Sequence, residues 1–194
     1  MYDRIVSGNL RGRTVEYGII EGSDTVFFIK VGQDGNIYGY MDKYMHLAEL
    51  VHNRLGFTCI TSSNPYDGDD PLGHAFEMMD EMFEDYSVYF MGHSNGARAG
   101  AIFGYRYHRI KAMLLSDSPL EDSDIDRIND GLSRFGGRVI MVYGDRDESF
   151  ERIHMIDESI RIEVIQGEDH NYTKSMDDLY SLPFRFLFDG EFYG

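Results

Sequence analysis

Hydrophobic positions along this chain repeat with two different periods, and the two alternate. Residues 15–20 read as a strand, followed by a turn at Gly22 and Ser23. Residues 25–31, Thr-Val-Phe-Phe-Ile-Lys-Val, form a nearly continuous apolar and partly β-branched run. Such a run predicts a strand buried on both faces. A loop of Gly, Asp and Asn fills residues 32–39. Leu47, Leu50, Val51 and Leu55 then recur at helical spacing, and Gly56 stands where a helix ends. A short strand is expected at residues 57–61 and a polar loop at 62–70. Asp70-Pro71 is a helix-start signal, and Leu72, Ala75, Phe76, Met79, Met82 and Phe83 mark one face of the helix it opens.

The alternation continues to the end. Strands are expected at residues 87–91, 109–115, 138–143 and 161–165. Helices are expected from Asn95 to about Tyr105, along the stripe Ile125, Ile128, Leu132 and Phe135, and briefly at 150–156. Strands alternating with helices predict an α/β fold: a mainly parallel sheet covered by helices on both faces, in three layers. The first two strands have no helix between them, so an antiparallel hairpin at one edge is expected there. Pro183 should break or restart any helix in the apolar C-terminal stretch. Its aromatic residues Phe188, Phe192 and Tyr193 should pack on the chain's own sheet, a partner subunit being the alternative.

Composition narrows this picture. At 194 residues the chain is expected to be one domain, 1–194, with 42% hydrophobic and 27% charged residues, an ordinary globular balance. Its net charge of −16 repels phosphate backbones and anionic lipid, so neither nucleic acid nor membrane is an expected partner. The single cysteine, Cys59, excludes an internal disulfide and a multi-cysteine metal site. It fits a reducing compartment. The first eight residues show no basic region leading into an apolar core, so no secretory signal is expected and the location inferred is cytoplasmic. Asp122, Asp124 and Asp126 have calcium-loop spacing, but Arg127 occupies the required glycine position, so they read as a helix start. No metal and no organic cofactor is expected.

The strongest chemical signal is Gly92-His93-Ser94-Asn95-Gly96. It matches G-x-S-x-G, with an expected strand before it and a helix after it. A sharp strand-to-helix turn exposes the serine hydroxyl, and small flanking residues relieve crowding. Gly96, Gly100 and Gly104 recur every four residues and would let the helix lie close on the sheet. Gly144-Asp145-Arg146-Asp147 and Gly167-Glu168-Asp169-His170 each follow a strand, at the edge where α/β sheets place ligands. Either alone reads as a surface turn. Ser94, Asp147 and His170 in that order, each after a separate strand, are a joint signal.

On these residues the chain resembles the α/β-hydrolase superfamily, from about Val26 to His170. The resemblance implies a Ser/acid/His triad in this chain order. Ser94 would be the nucleophile, His170 the base and Asp147 the acid, with Asp145 and Asp117 as alternative acids. One oxyanion donor would be the Asn95 amide. The second is assigned to Gly32 or Gln33, since Val31-Gly32-Gln33-Asp34-Gly35 stands where relatives often carry His-Gly. Many relatives insert a lid between nucleophile and acid. Here 53 residues separate Ser94 from Asp147, room for no lid and at most a short excursion at 118–125. The resemblance implies a serine hydrolase acting on a small-molecule acyl substrate, an ester or thioester, through an acyl-enzyme. The alternatives are an acyltransferase with the same triad and a non-catalytic binding protein on the same fold.

Overall fold

A computed structural model of the chain describes residues 1–65 and 70–188. Eight strands form one sheet: β1 Arg4–Leu10, β2 Arg13–Ile20, β3 Ser23–Lys30, β4 Phe57–Ser62, β5 Ser87–His93, β6 Ile110–Ser116, β7 Arg138–Gly144 and β8 Arg161–Ile165. Among the described residues five α-helices accompany them: α1 Lys43–Leu55, α2 Gly73–Met82, α3 Asn95–Phe103, α4 Ile125–Arg134 and α5 Met176–Leu182. The strand order is β1-β2-β4-β3-β5-β6-β7-β8. Strands β3 to β8 are mutually parallel, while β1 and β2 run antiparallel to their neighbours.

The edge hairpin is present, but its members differ from those expected. Residues 13–20 pair with β1 on one side and with β4 on the other, not with β3. Strand β1, RIVSGNL, is mostly exposed and polar on alternate positions, so it lacks the apolar run that marks an inner strand. Being at the edge, it needs only one apolar face.

Successive residues of β3 point to opposite sides and divide the core. Val26 and Phe28 pack with Ala75, Phe76 and Met79 of α2, Ala97 and Ala101 of α3, and Ile128 and Leu132 of α4. Phe27 and Ile29 pack with Leu47 and Val51 of α1 and with Leu179 and Leu182 of α5. Three layers therefore follow from the period-2 pleat of strands that are apolar on both faces. Lys30 is the exception, a fully buried lysine whose Nζ donates to Ser62 Oγ at 3.1 Å and to the Ser63 carbonyl at 2.9 Å.

Helix α1 ends as the sequence suggests, on Gly56 at φ 69. Helix α2 follows an Asp70 carboxylate that accepts from the Leu72 amide at 3.1 Å. Asp124 precedes α4 but does not cap it. Its carboxylate takes Arg98 at 2.8 Å and Arg127 at 3.1 Å. The stretch 118–124 joins β6 to α4 without a helix or strand of its own. Pro183 restarts the C-terminal helix, which widens into a π turn over Pro183–Leu187, closed by the Phe188 amide on the Pro183 carbonyl at 2.8 Å. Phe188 is fully buried and meets Phe27, Phe57 and Tyr89 edge-on, so the tail packs on its own sheet to that point. Phe192 and Tyr193 lie outside the described residues. Among the described residues no helix is long and apolar enough to cross a membrane.

Gly131 sets the distance between α3 and α4. A Cβ there would press on the Ala101 carbonyl and lie 2.8 Å from the Ile102 carbonyl. In an exposed helix Gly→Ala gains about 1 kcal/mol. Here the sign reverses. Gly131→Ala should lose ~1–3 kcal/mol in urea denaturation, the usual cost of overpacking. A stabilised variant would refute the close-approach account.

Candidate active site

The parallel strands end on one side of the sheet, and the loops leaving β3, β5, β7 and β8 meet there. Ser94 follows β5 directly and sits at φ 56, ψ −126, a backbone conformation that most residues avoid. The turn survives because its neighbours are glycines. A Cβ on Gly92 would come within 2.5 Å of the Ala97 Cα. One on Gly96 would overlap the Lys30 carbonyl at the end of β3. The G-x-S-x-G pattern is therefore a packing requirement at both glycines. Gly100 and Gly104 continue it along the sheet face, against Phe90, Leu115 and Met113. The Ser94 amide donates to the Ser116 carbonyl at 2.9 Å, which ties the turn to β6.

Asp147 and His170 arrive on two loops that are laced together. Asp145 N donates to the Ile165 carbonyl at 3.2 Å, and Arg146 N to the Glu168 carbonyl at 2.9 Å. The Gly167 amide donates to Asp145 Oδ1 at 2.6 Å. Gly144 has no room for a side chain, since a Cβ would lie 2.7 Å from the Glu168 carbonyl carbon. The chain then turns, with Asp147 N bonded to the Gly144 carbonyl at 3.1 Å. This aims the buried Asp147 carboxylate at His170, whose Nδ1 donates to Asp147 Oδ2 at 2.6 Å. Asp147 Oδ1 accepts from the Ser149 amide at 2.7 Å, so both oxygens are held.

The three candidate acids are thus separated. Asp147 meets His170. Asp145 instead braces the loop after β8. Asp117, at φ 49, accepts from Ser116 Oγ at 2.6 Å and from the Gly144 amide at 2.9 Å, joining the ends of β6 and β7. Tyr172 OH lies 2.9 Å from Ser116 Oγ and extends this network under the histidine loop.

A cavity of about 310 Å³ opens over these loops, lined by Ser94 and His170 together with Gly32, Gln33, Lys43 and Tyr44. Gly32 abuts the serine, and a Cβ there would lie 3.1 Å from Ser94 Cβ. Gln33 Oε1 accepts from Asn95 Nδ2 at 3.2 Å. Asn95 opens α3, so its amide has no acceptor within the helix. Among the described residues no hydrogen bond joins Ser94 to His170, a pair that commonly tightens only when substrate is seated. No group of three His, Cys, Asp or Glu suited to a metal ion occurs among them.

One residue of the motif has a role that sequence reasoning missed. His93 is buried, with Nε2 2.7 Å from the His170 carbonyl and Nδ1 2.8 Å from Tyr44 OH. A carbonyl can only accept, so Nε2 carries the proton and Nδ1 accepts from the tyrosine. Its position inside the motif was the available signal, because it directly precedes the Ser94 turn.

The electrostatics differ sharply between the two histidines. The bond to Asp147 raises the pKa of His170, against the opposing effect of burial. Burial holds His93 well below the ordinary value, aided by the nearby Lys43 and His170 charges. Burial, with Asp147 adding to it, pushes Asp117 up to about 6, while bonds from Ser116 and Gly144 oppose.

In overall architecture the chain is similar to several solved structures. An α/β serine hydrolase homologue from Coxiella burnetii superposes with a TM-score of 0.72 at 16% identity, covering 95% of this chain and 97% of that one. Est1E from Butyrivibrio proteoclasticus gives 0.72 at 13%, covering 94% and 97%. The protein XC6422 from Xanthomonas campestris, described as an α/β serine hydrolase without lid, gives 0.68 at 11%, covering 94% and 93%. This chain has the α/β-hydrolase fold. No protein-family model and no curated protein sequence matches it. At such identities the likeness lies in the hydrolase fold alone, and the chemistry rests on the residues above.

A depressed histidine pKa makes stability fall as pH drops, because the unfolded chain takes up the proton first. His93 therefore contributes stability above the unfolded histidine value of about 6.5, and loses it below. His93→Gln should flatten the dependence of melting temperature on pH between about 7 and 5. An unaltered slope would show that His93 is not held neutral.

Proposed function

We propose that this chain is a lidless serine hydrolase that cleaves small esters or thioesters through an acyl-enzyme on Ser94. The observation that carries the reading is the 2.6 Å bond between Asp147 and His170 at the cavity that Ser94 also lines. With Nδ1–H committed to the carboxylate, His170 turns an unprotonated Nε2 away from it. That nitrogen takes the Ser94 proton as Oγ attacks the acyl carbonyl carbon. The Asn95 amide and that of Gly32 or Gln33 hold the oxyanion. Collapse breaks the bond to the alcohol or thiol, which leaves with the proton from His170. Water then attacks the acyl-enzyme, giving up a proton to His170, and the acid departs as Ser94 regains its hydrogen. Asp147 fixes the ring and stabilises the imidazolium. The residues between Ser94 and Asp147 are used by α3, β6, α4 and β7, which supports a cleft without a lid domain.

A fluorophosphonate should label the protein, and Ser94→Ala should abolish both labelling and ester hydrolysis with little change in melting temperature. Retained activity would refute the nucleophile. Absent labelling of the wild type would favour the binding protein, and faster acyl transfer to added alcohol than to water would favour the acyltransferase. Asp147→Asn should reduce kcat by roughly 10⁴, because the amide favours the wrong histidine tautomer. Asp145→Asn should keep most activity.

The acid limb of kcat/KM should lie above about 6.5, since His170 must be neutral and its carboxylate partner raises its pKa. Asp117 also raises it through its negative charge. Asp117→Asn should therefore move that limb to lower pH. A limb that stays put would remove Asp117 from the electrostatics of the base.

A further inference from the structure

Lys43 is the charged residue that the triad leaves unexplained. It is the first residue of α1, only 2% exposed, and it lines the same cavity as Ser94 and His170. The one hydrogen bond of its ammonium among the described residues is a long one, 3.5 Å from Nζ to the Asn171 carbonyl. The ammonium also lies 5.2 Å from the centre of the Tyr44 ring. No carboxylate forms an ion pair with it among the described residues. The two that act on it from a distance, Asp117 and Asp169, have other bonds. Asp117 is held by Ser116 and Gly144, and Asp169 by Thr173 and the Asn171 amide.

A buried ammonium with so little compensation is costly. Burial pushes its pKa down to about 8, so at neutral pH it remains mostly charged. The chain also spends backbone strain to deliver it. Met41 and Asp42, immediately before α1, both have positive φ, at 53° and 57°. The neighbouring wall offers no competing anion: Gly39, Tyr40, Tyr44 and Asn171 are neutral. A substrate anion entering the cavity would supply the missing partner.

From this juxtaposition we infer that Lys43 is a specificity-determining residue, and that the preferred substrate is a small ester carrying a carboxylate. The inference rests on the hydrolase reading for its chemistry and not for its binding. The cavity volume of about 310 Å³ suits an acyl or alcohol part of a few carbons. The strongly acidic surface, at net charge −16, keeps polyanions away, so the match is a single carboxylate held locally.

The test uses ester pairs matched in size. Mono-4-nitrophenyl glutarate against 4-nitrophenyl valerate places the charge on the acyl side. 4-Acetoxybutanoate against pentyl acetate places it on the alcohol side. In one arm the wild type should favour the charged member in kcat/KM by about ten-fold or more, the scale of one charge-assisted hydrogen bond. The arm that shows it tells which side of the ester faces Lys43. Lys43→Met should bring the ratio to unity or below, and Lys43→Arg should keep most of it. A residue that merely braced the Asn171 loop would lower both members together and leave the ratio alone.

Binding to the Ser94→Ala protein separates the two readings. Monomethyl glutarate should bind it more tightly than methyl valerate by NMR titration, and adding Lys43→Met should erase the difference. Preferential binding without any ester cleavage by the wild type would sink the hydrolase reading and leave Lys43 standing. Cleavage with equal binding and equal kcat/KM in both arms would overturn the role of Lys43.

Discussion

The packing of the Gly96 backbone onto the Lys30 carbonyl is the constraint from which the rest of the site follows. It brings the start of α3 against the end of β3 with no side chain between them. The chain can reach that contact from β5 only through a tight turn, so Ser94 is forced to positive φ. The same approach sets Gly32 against the serine and leaves the first amide of α3 without an acceptor inside its helix. Strain at one residue is tolerated because glycine at 92 and 96 and a buried sheet around it over-determine the turn.

A second constraint is the lacing of the β7 and β8 loops. A carboxylate and an imidazole on separate loops would ordinarily sample many relative positions. Here backbone hydrogen bonds and the Gly144 contact fix the two loops first, and the side chains then meet at 2.6 Å. The geometry is therefore prepared by the main chain before any substrate arrives, which is what electrostatic preorganisation needs. His93 adds a third tie, from the Ser94 turn to the carbonyl of His170.

Much of this was legible in the sequence, and for physical reasons. The inner strands are buried on both faces and so announce themselves as apolar runs. Helix ends at Gly56 and Asp70 carry local chemistry that does not depend on distant contacts. The elbow was readable because glycine is demanded there by space. Strand β1 was missed because an exposed edge strand needs few apolar residues. The pairing of β2 with β4 was missed because strand order is decided by long-range contacts. The resemblance put Asp147 ahead of Asp145 and Asp117 as the acid, while the bond of Asp145 to Gly167 on the next loop has no local signature. His93 and Lys43 were overlooked for the same reason, since burial of a polar side chain is a property of the assembled fold.

The two buried lysines show what a charge does when its surroundings differ. Lys30 has a hydroxyl and a carbonyl within 3.1 Å and helps seal the sheet. Lys43 lines the cavity with one long bond, to the Asn171 carbonyl at 3.5 Å. A site that keeps one ion only partly compensated stores an attraction that a ligand can complete. Occupancy of such a site should stiffen the loop before α1, so a bound ligand would be felt as far away as the strained turn at Met41 and Asp42. The molecule would then be most rigid when it is about to react, and loosest when empty.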